Sequence, residues 1–517
     1  MIRKPLLPIA EVLKAREDGI DPAVIECRER AERLRSQRIA ERKRAEYRLI
    51  MLAVMFLGAF GTVGWKMGEL ATSGEPEVAE NTTRASVVNQ RANIVDRNGS
   101  ILATNLITKS LFAHPMDMVD PTAALNGLMQ IFPDLNRDYL NRAFTGNRKF
   151  VWIKHKLSPE QQQAVHDLGE PGLQLGPRET RLYPNGNLAA HILGGTKFGD
   201  EGVHSAEIVG TAGVELVFEK FLSDPAQNGA PLELSIDTSV QSAMRRVLLG
   251  GMHLMHAKGA AAVLMEADTG RIVSMVSLPD FDPNHRPAPP TAGDPADSPL
   301  FNRVAQGKYE LGSTFKLFTA ALAMEKGVAT PDTMIPTRGP LVWGKYRIND
   351  FHNYGAKLSL TEVIVKSSNI GTANLAMEVG TESQQEFLKA LGFFEPTSVE
   401  VTEAKRSKPL LPSRWSDLST MTISYGHGLA ATPLHLAAAY ATITNGGLRV
   451  RPTLMNNSPL PTEADRVLSE NTSRNIRDML RQVVVRGTAT LGEVAGYQVG
   501  GKTGTADKPK PTGGYYE

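Results

Sequence analysis

Residues Leu49 to Trp65, LIMLAVMFLGAFGTVGW, carry no charge and are bracketed by Arg48 and Lys66. The run sits near the short end of the ~17–25 residues that cross a bilayer, with Tyr47 and Trp65 placed as interfacial anchors. Before it, Glu11 to Glu46 spreads charge over most helical faces, with Glu26/Arg30 and Glu29/Arg33 at i,i+4 spacing, which predicts a solvated helix. After it, residues 66–90 lack apolar periodicity and read as a spacer. From Arg91 the pattern changes to short β-like runs broken by turns, and Asn98-Gly99 between two such runs predicts a hairpin. A second hairpin is expected where apolar runs flank Asp268-Thr269-Gly270, ending at the Pro279 to Asn284 break. Phe315 to Lys326 is rich in helix formers up to a C-capping Gly327. Ser359-Leu360-Thr361-Glu362 is a capping-box pattern opening a short helix, and Ile370 to Val379 forms the next. Tyr497 and Val499 alternate with polar or small residues as an edge strand would, carrying Lys502 with it. Strands, then helices, then a strand predict an α/β sandwich for the C-terminal part.

Length adds a division of labour: at 517 residues, two to four units are expected at ~150 residues each. The net charge of +2 argues against nucleic acid as a partner. That balance hides an asymmetry, because residues 1–48 hold thirteen Lys or Arg against nine Asp or Glu. Basic residues ahead of the apolar run place the N-terminus in the cytoplasm and the rest of the chain outside. A cleaved signal peptide competes, since Ala71 and Ser73 supply small residues, but the charged leader is too long for an ordinary n-region. An uncleaved anchor is expected. Cys27 is the single cysteine, so no intrachain disulfide can form.

The candidate chemistry lies in three strings in one order: Ser313-Thr314-Phe315-Lys316, Ser367-Ser368-Asn369, and Lys502-Thr503-Gly504-Thr505. Each is weak alone. Ser469-Glu470-Asn471 also reads Ser-x-Asn and is taken as a solvated helix start, whereas Ser-x-x-Lys occurs once in the chain. Positions i and i+3 share a helix face, so Ser313 and Lys316 can come within hydrogen-bond reach. A serine hydroxyl needs an adjacent base, and a lysine deprotonated by burial and a nearby cation can supply it. A Ser-x-Asn loop between helices aims a hydroxyl and a carboxamide into one cleft, with Ser368 pointing away. Gly504 would let a substrate backbone approach closely. The histidines form no metal-ligand pattern: His253 and His256 read as a surface helix, and no metal or cofactor is expected. No Gly-x-Ser-x-Gly elbow encloses a serine. Around His427, Gly426 and Gly428 read as loop geometry, followed by Thr432 as N-cap and Pro433 at the first helical position.

The ordered triple resembles the motif set of penicillin-binding proteins and class A β-lactamases. The stretch Arg91 to Ala103 resembles the opening motif of class B penicillin-binding proteins, with Ala92 where the family has glycine. Arg181-Leu182-Tyr183-Pro184 running to His191 and Gly194, and Gly210 to Glu215, resemble the family's non-catalytic module and read as buried Arg–Glu pairs with turn glycines. The chain is most similar to the septal, FtsI-type branch of that class. This resemblance implies an α/β penicilloyl-serine transferase (β-lactamase-like) sandwich of a mainly antiparallel sheet with helices, behind a β-rich pedestal and one transmembrane helix. The implied order is a cytoplasmic tail (1–48), an anchor (49–65), a linker (66–90), a dimerisation-type pedestal (91–235) and a transpeptidase domain (236–517).

The resemblance also implies roles. Ser313 is the nucleophile, Lys316 its base and Ser367 a proton relay. Asn369 holds a peptide carbonyl, while Lys502, Thr503, Gly504 and Thr505 receive a D-alanyl-D-alanine carboxylate. Backbone N–H groups of Ser313 and Thr505 form the oxyanion hole. The implied activity is cross-linking of peptidoglycan stem peptides during septal wall synthesis, with β-lactams trapping Ser313. The implied location is the bacterial inner membrane, single-pass, with the catalytic domain periplasmic. The implied partners are a SEDS-type glycosyltransferase and other division proteins. The family continues through further strands and a helix, so a C-terminal truncation after Gly513-Gly514-Tyr515-Tyr516-Glu517 is expected. A carboxypeptidase or β-lactamase-type hydrolase, a β-lactam sensor and a non-catalytic division scaffold are the alternatives.

Overall fold

The computed structural model describes residues 13–14, 16–19, 21–73, 91–146, 148–198, 208–227 and 229–508. The chain divides into two compact units, residues 1–88 and 89–517.

In the first unit one helix, Pro22–Ser73, carries both the charged segment and the apolar run. Tyr47–Met67 is long and apolar enough to cross a membrane, with a mean hydropathy of 1.7. Arg28 and Glu32 pair across one helical turn at 3.6 Å. The expected Glu26/Arg30 and Glu29/Arg33 pairs lie outside the described side chains. The spacer expected from residue 66 begins later, because Glu69, Leu70 and Ala71 favour helix and the next proline after Pro22 is Pro76. Residues 74–90 and the terminal Gly513 to Glu517 lie outside the described residues, as does the start of the charged segment at Glu11.

The second unit opens with the expected hairpin. Ile94–Val95 pairs antiparallel with Ile101–Ala113, and the turn is closed by Gly99 at φ +80. Asp96 fixes that turn by accepting hydrogen bonds from the backbone of Asn98 and Ser100 and from Thr238. Burial works against its charge, but these bonds hold the carboxyl below its usual range. Ile101–Ala113 also pairs with Val151–Leu157 and Leu173–Leu182, and Leu232–Glu233 adds a parallel strand beside Ile94–Val95. Leu111, Leu128, Phe132, Leu140 and Val151 form the apolar interior on one face of this sheet. Gly195–Phe198 pairs with Ile208–Ala212, and the carboxylate of Glu215 next to them accepts from both Arg91 and Arg181 at 2.7 Å. All three side chains are buried, as the sequence led us to expect.

The core runs on across residue 235 without a break. Ile94, Leu102, Ile192, Val214 and Leu232 share one cluster with Ile272, Met275, Val304, Leu434 and Leu454. The helix Thr238–Leu254, N-capped by Asp237, lies on the antiparallel pair Ala260–Met265 and Ile272–Leu278. Gly270 closes this second hairpin at φ +75, because a Cβ there would meet the Arg451 carbonyl. Beyond it the body is helical. Phe315, Phe318, Leu360, Phe393, Ile423, Ile476 and Val483 pack around the helix Lys316–Glu325. Short antiparallel pairs brace its rim: Tyr309–Glu310 with Ala430–Ala431, Met334–Pro336 with Lys357–Ser359, and Leu341–Trp343 with Tyr346–Ile348. The C-terminal part is thus mixed α/β.

Two local expectations change. Residues 498–508 form no strand, although Tyr497 and Val499 alternate as one would. The helix Glu470–Arg486 holds this backbone instead: Gly501 N–H donates to the Leu480 carbonyl and Arg481 donates to the Val499 carbonyl. Ser359 does cap the helix Leu360–Val365, but Glu362 does not reciprocate and pairs with Arg486 and Lys366. Ser469 caps the helix Glu470–Arg486, in line with a solvated helix start.

Candidate active site

The three motifs meet at one cleft. Ser313 lies in a tight turn, Gly312–Phe315, that leads into the helix Lys316–Glu325. Two glycines build that turn. Gly312 has φ +55, and a Cβ on it would sit 2.3 Å from the Thr505 carbonyl oxygen. Gly426 has φ +88, and a Cβ on it would sit 2.0 Å from the Gly312 carbonyl oxygen. Gly312 N–H donates to the Gly426 carbonyl, and Gly428 N–H donates to Glu310. The loop around His427 is therefore the backing of the Ser313 turn, which only glycine backbones allow. Thr432 and Pro433 then start the next helix, with a reciprocal cap between Thr432 and His435. Tyr440 on this helix donates its hydroxyl to the Thr314 carbonyl at 2.8 Å.

Lys316 is fully buried. Its ammonium nitrogen lies 2.5 Å from the Ser367 carbonyl and 3.0 Å from the Ser367 hydroxyl, rather than on Ser313. Ser313 is half-buried one turn before it. Catalytic hydrogen bonds are commonly loose without substrate. Ser367 adopts φ +59, a left-handed conformation that costs a non-glycine residue on the order of 1 kcal/mol. Ser368 turns away, as expected, and caps the helix Asn369–Val379 through Gly371 N–H. Asn369 donates its amide to the Asn349 carbonyl at 3.0 Å.

From the other side Lys502 reaches the same Ser367 hydroxyl at 3.0 Å and its neighbour's Thr503 carbonyl at 2.8 Å. The Thr503 hydroxyl meets that of Thr488 at 2.8 Å, and Thr503, Gly504 and Thr505 are exposed. At Gly504 the close approach is to the protein's own turn: a Cβ would lie 2.8 Å from the Leu311 carbonyl oxygen and 2.9 Å from Thr314. Burial pushes Lys316 down to about 7, and the neighbouring Lys502 charge adds to the effect while Asp350 opposes it. Burial also pushes Lys502 down to about 8. Two ammonium groups on one hydroxyl repel, so the more buried of them gives up its proton first. The cleft thus combines a hydroxyl nucleophile, a neutral amine near pH 7 and a cationic amine.

Residues 260–517 match the penicillin binding protein transpeptidase domain, and residues 86–226 match the penicillin-binding protein dimerisation domain. The chain is 34% identical to the probable peptidoglycan D,D-transpeptidase FtsI of Caulobacter vibrioides, over 92% of this chain and 79% of that protein. The chain belongs to the class B penicillin-binding proteins of FtsI type. It is also 29% identical to the peptidoglycan D,D-transpeptidase FtsI of Escherichia coli, over 90% of this chain and 81% of that protein. A third relative, the probable peptidoglycan D,D-transpeptidase PenA of Neisseria gonorrhoeae, is 31% identical over 81% of this chain and 74% of its own.

Of the eight motif residues expected to act, the structure brings Lys316, Ser367 and Lys502 together and sets Gly504 and Thr505 against the Ser313 turn, while Asn369 is held on Asn349 and Thr503 on Thr488. Sequence reasoning missed Asp350, Asn349, Thr488 and Tyr440, which touch the motif residues from distant parts of the chain. No local spacing marks them. His253 and His256, by contrast, are exposed, and only His253 lies in the helix Thr238–Leu254, with His256 beyond its end at φ +48.

Proposed function

We propose that this chain is a membrane-anchored D,D-transpeptidase that cross-links peptidoglycan stem peptides at the division septum. The observation that carries this reading is the single Ser367 hydroxyl held between Lys316 and Lys502, each at 3.0 Å, beside the glycine-built Ser313 turn. Ser313 Oγ attacks the penultimate D-alanine carbonyl, and its proton passes to neutral Lys316. The developing oxyanion is received by the backbone N–H groups of Ser313 and Thr505, whose segments already touch at Gly312. The carbon–nitrogen bond breaks as Ser367 gives its proton to the departing D-alanine amine and Lys316 restores it. An amine of a neighbouring stem then attacks the acyl-Ser313 ester, the same groups carry its proton back, and Ser313 is regenerated. Lys502, Thr503 and Thr505 bind the donor carboxylate, Gly504 leaves room beside it, and Asn369 orients the donor peptide.

On this reading residues 91–235 form the pedestal and residues 236–517 the transpeptidase domain, whose hairpin and helices belong to a penicilloyl-serine transferase sandwich. The Tyr47–Met67 segment anchors the chain in the inner membrane with residues 1–48 in the cytoplasm. A SEDS-type glycosyltransferase and other division proteins supply the glycan strands and the timing. The test is intact mass after incubation of the detergent-solubilised chain with benzylpenicillin, alongside Ser313→Ala. A persistent adduct that Ser313→Ala loses is expected; an adduct that survives the substitution refutes Ser313 as nucleophile.

A further inference from the structure

The loop that carries Ser367 and Asn369 is held by two residues that belong to none of the three motifs. Asp350 accepts from the Ser368 hydroxyl at 2.5 Å and from Ile370 N–H at 3.0 Å. Next to it, the Asn349 carbonyl accepts the side-chain amide of Asn369 at 3.0 Å. One dipeptide therefore binds Ser368, Asn369 and Ile370. These bonds bracket the strained φ +59 at Ser367, whose own N–H is tied to the Ile364 carbonyl at 3.2 Å. A left-handed serine persists only where its surroundings over-determine it. Here Asp350 supplies that surplus from outside the loop.

Asp350 also acts by charge. Two charged side chains bear on Lys316, Lys502 from the segment after Gly501 and Asp350 from the loop before Lys357–Ser359, and the same Asp350 carboxylate acts on the phenol of Tyr354. Lys366 lies over the Tyr354 ring and pairs with Glu362 on the helix Leu360–Val365, at the rim of the same loop. Lys502 favours the neutral form of Lys316 and Asp350 the charged form.

Resting on the transpeptidase reading above, we propose that Asp350 is a positioning residue for acyl transfer. Its carboxylate locks the Ser367–Asn369 loop in register with Lys316 and supplies the counter-charge that opposes Lys502. Held this way, the hydroxyl of Ser367 stays between the two lysines, and the Asp350 charge offsets part of the effect of Lys502 on Lys316. Asp350 touches neither the donor nor the reacting atoms.

The experiment measures the rate of benzylpenicillin acylation from pH 5 to pH 9 for the full chain in detergent, for Asp350→Asn and for Asp350→Ala. Asparagine can still accept from Ile370 N–H and donate to the Ser368 hydroxyl, so the loop keeps its shape while the charge goes. Without that charge Lys316 sheds its proton more readily, and the acid limb of the profile moves to lower pH by about half a unit, the scale of one charge acting through a partly wet site. Asp350→Ala also releases the loop, and the plateau rate falls roughly tenfold or more, as expected for a misplaced catalytic group. An Asp350→Asn profile superimposable on the wild type, or an Asp350→Ala plateau within about twofold of it, overturns the proposal. Thermal unfolding of both variants separates a released loop from a misfolded chain, and the Asp350→Asn profile decides the matter if Asp350→Ala does not fold. A wild type that forms no adduct at Ser313 would instead sink the transpeptidase reading, so the two failures are told apart.

Discussion

Replacing Lys316 by methionine should abolish acylation and yet make the protein more stable at neutral pH. Lys316 is fully buried and its ammonium is pushed from 10.5 to about 7. Since a tenfold change in proton affinity is worth ~1.4 kcal/mol, folding with a protonated Lys316 costs roughly 5 kcal/mol. Below pH 7 both folded and unfolded chains hold the proton and the whole cost applies. Between about 7 and 10.5 the unfolded chain keeps a proton that the folded chain has shed, so wild-type stability rises with pH, by ~1.4 kcal/mol for each pH unit. Lys316→Met removes that dependence but leaves the Ser367 carbonyl without its donor, a loss of about 1–3 kcal/mol. The variant should therefore be about 2 kcal/mol more stable than the wild type at pH 7 and close to it at pH 9. Urea unfolding of the full chain in detergent, followed by tryptophan fluorescence at pH 6, 7, 8 and 9, measures both. A variant less stable by the same amount at every pH would refute the buried, proton-poor lysine.

Two further substitutions probe the same cleft. Lys502→Ala removes the positive charge that helps Lys316 lose its proton, so the acid limb of benzylpenicillin acylation should move to higher pH, with a higher KM for a D-alanyl-D-alanine donor. Gly426→Ala would place a Cβ 2.0 Å from the Gly312 carbonyl at φ +88, which should cost roughly 3 kcal/mol or more in unfolding measurements and cut the rate of Ser313 acylation at least tenfold.

What was legible in the sequence is what chemistry imposes locally. A nucleophile and its base one helical turn apart, a hydroxyl and an amide on one loop, and a lysine followed by small residues leave a written trace, so Ser313, Lys316, Ser367, Asn369 and Lys502 could be picked out in order. Hairpins at Asn98-Gly99 and Asp268-Thr269-Gly270 were legible for a similar reason, since each turn needs a positive φ that glycine supplies. Contacts closed by the fold left no such trace. Asp350 meets Ser368, Tyr440 meets Thr314 and Gly426 meets Gly312 across gaps in sequence that no periodicity spans. The misread strand at Tyr497 to Lys502 shows the limit of alternation: a strand exists only where another backbone completes its ladder, and here the helix Glu470–Arg486 takes those bonds. Gly504 was assigned an open path for substrate, yet its missing side chain also makes room for the protein's own Leu311 carbonyl.

The hydrogen-bond count at Ser367 explains why the proposed mechanism needs two lysines rather than one. A hydroxyl oxygen accepts at most two bonds and donates one. Lys316 and Lys502 take both acceptor positions at 3.0 Å, which leaves the hydroxyl proton as the one group free to be handed to a leaving amine. Either lysine alone would leave the hydroxyl free to turn and donate elsewhere. Both together fix its direction, but two adjacent ammonium charges in a buried site cannot both persist cheaply. Lys502, partly exposed and anchored on the Thr503 carbonyl, stays the better cation, and Lys316, with no access to water, becomes the base. The division of roles between the two lysines thus follows from their burial, and the strained backbone of Ser367 places one hydroxyl where both can reach it.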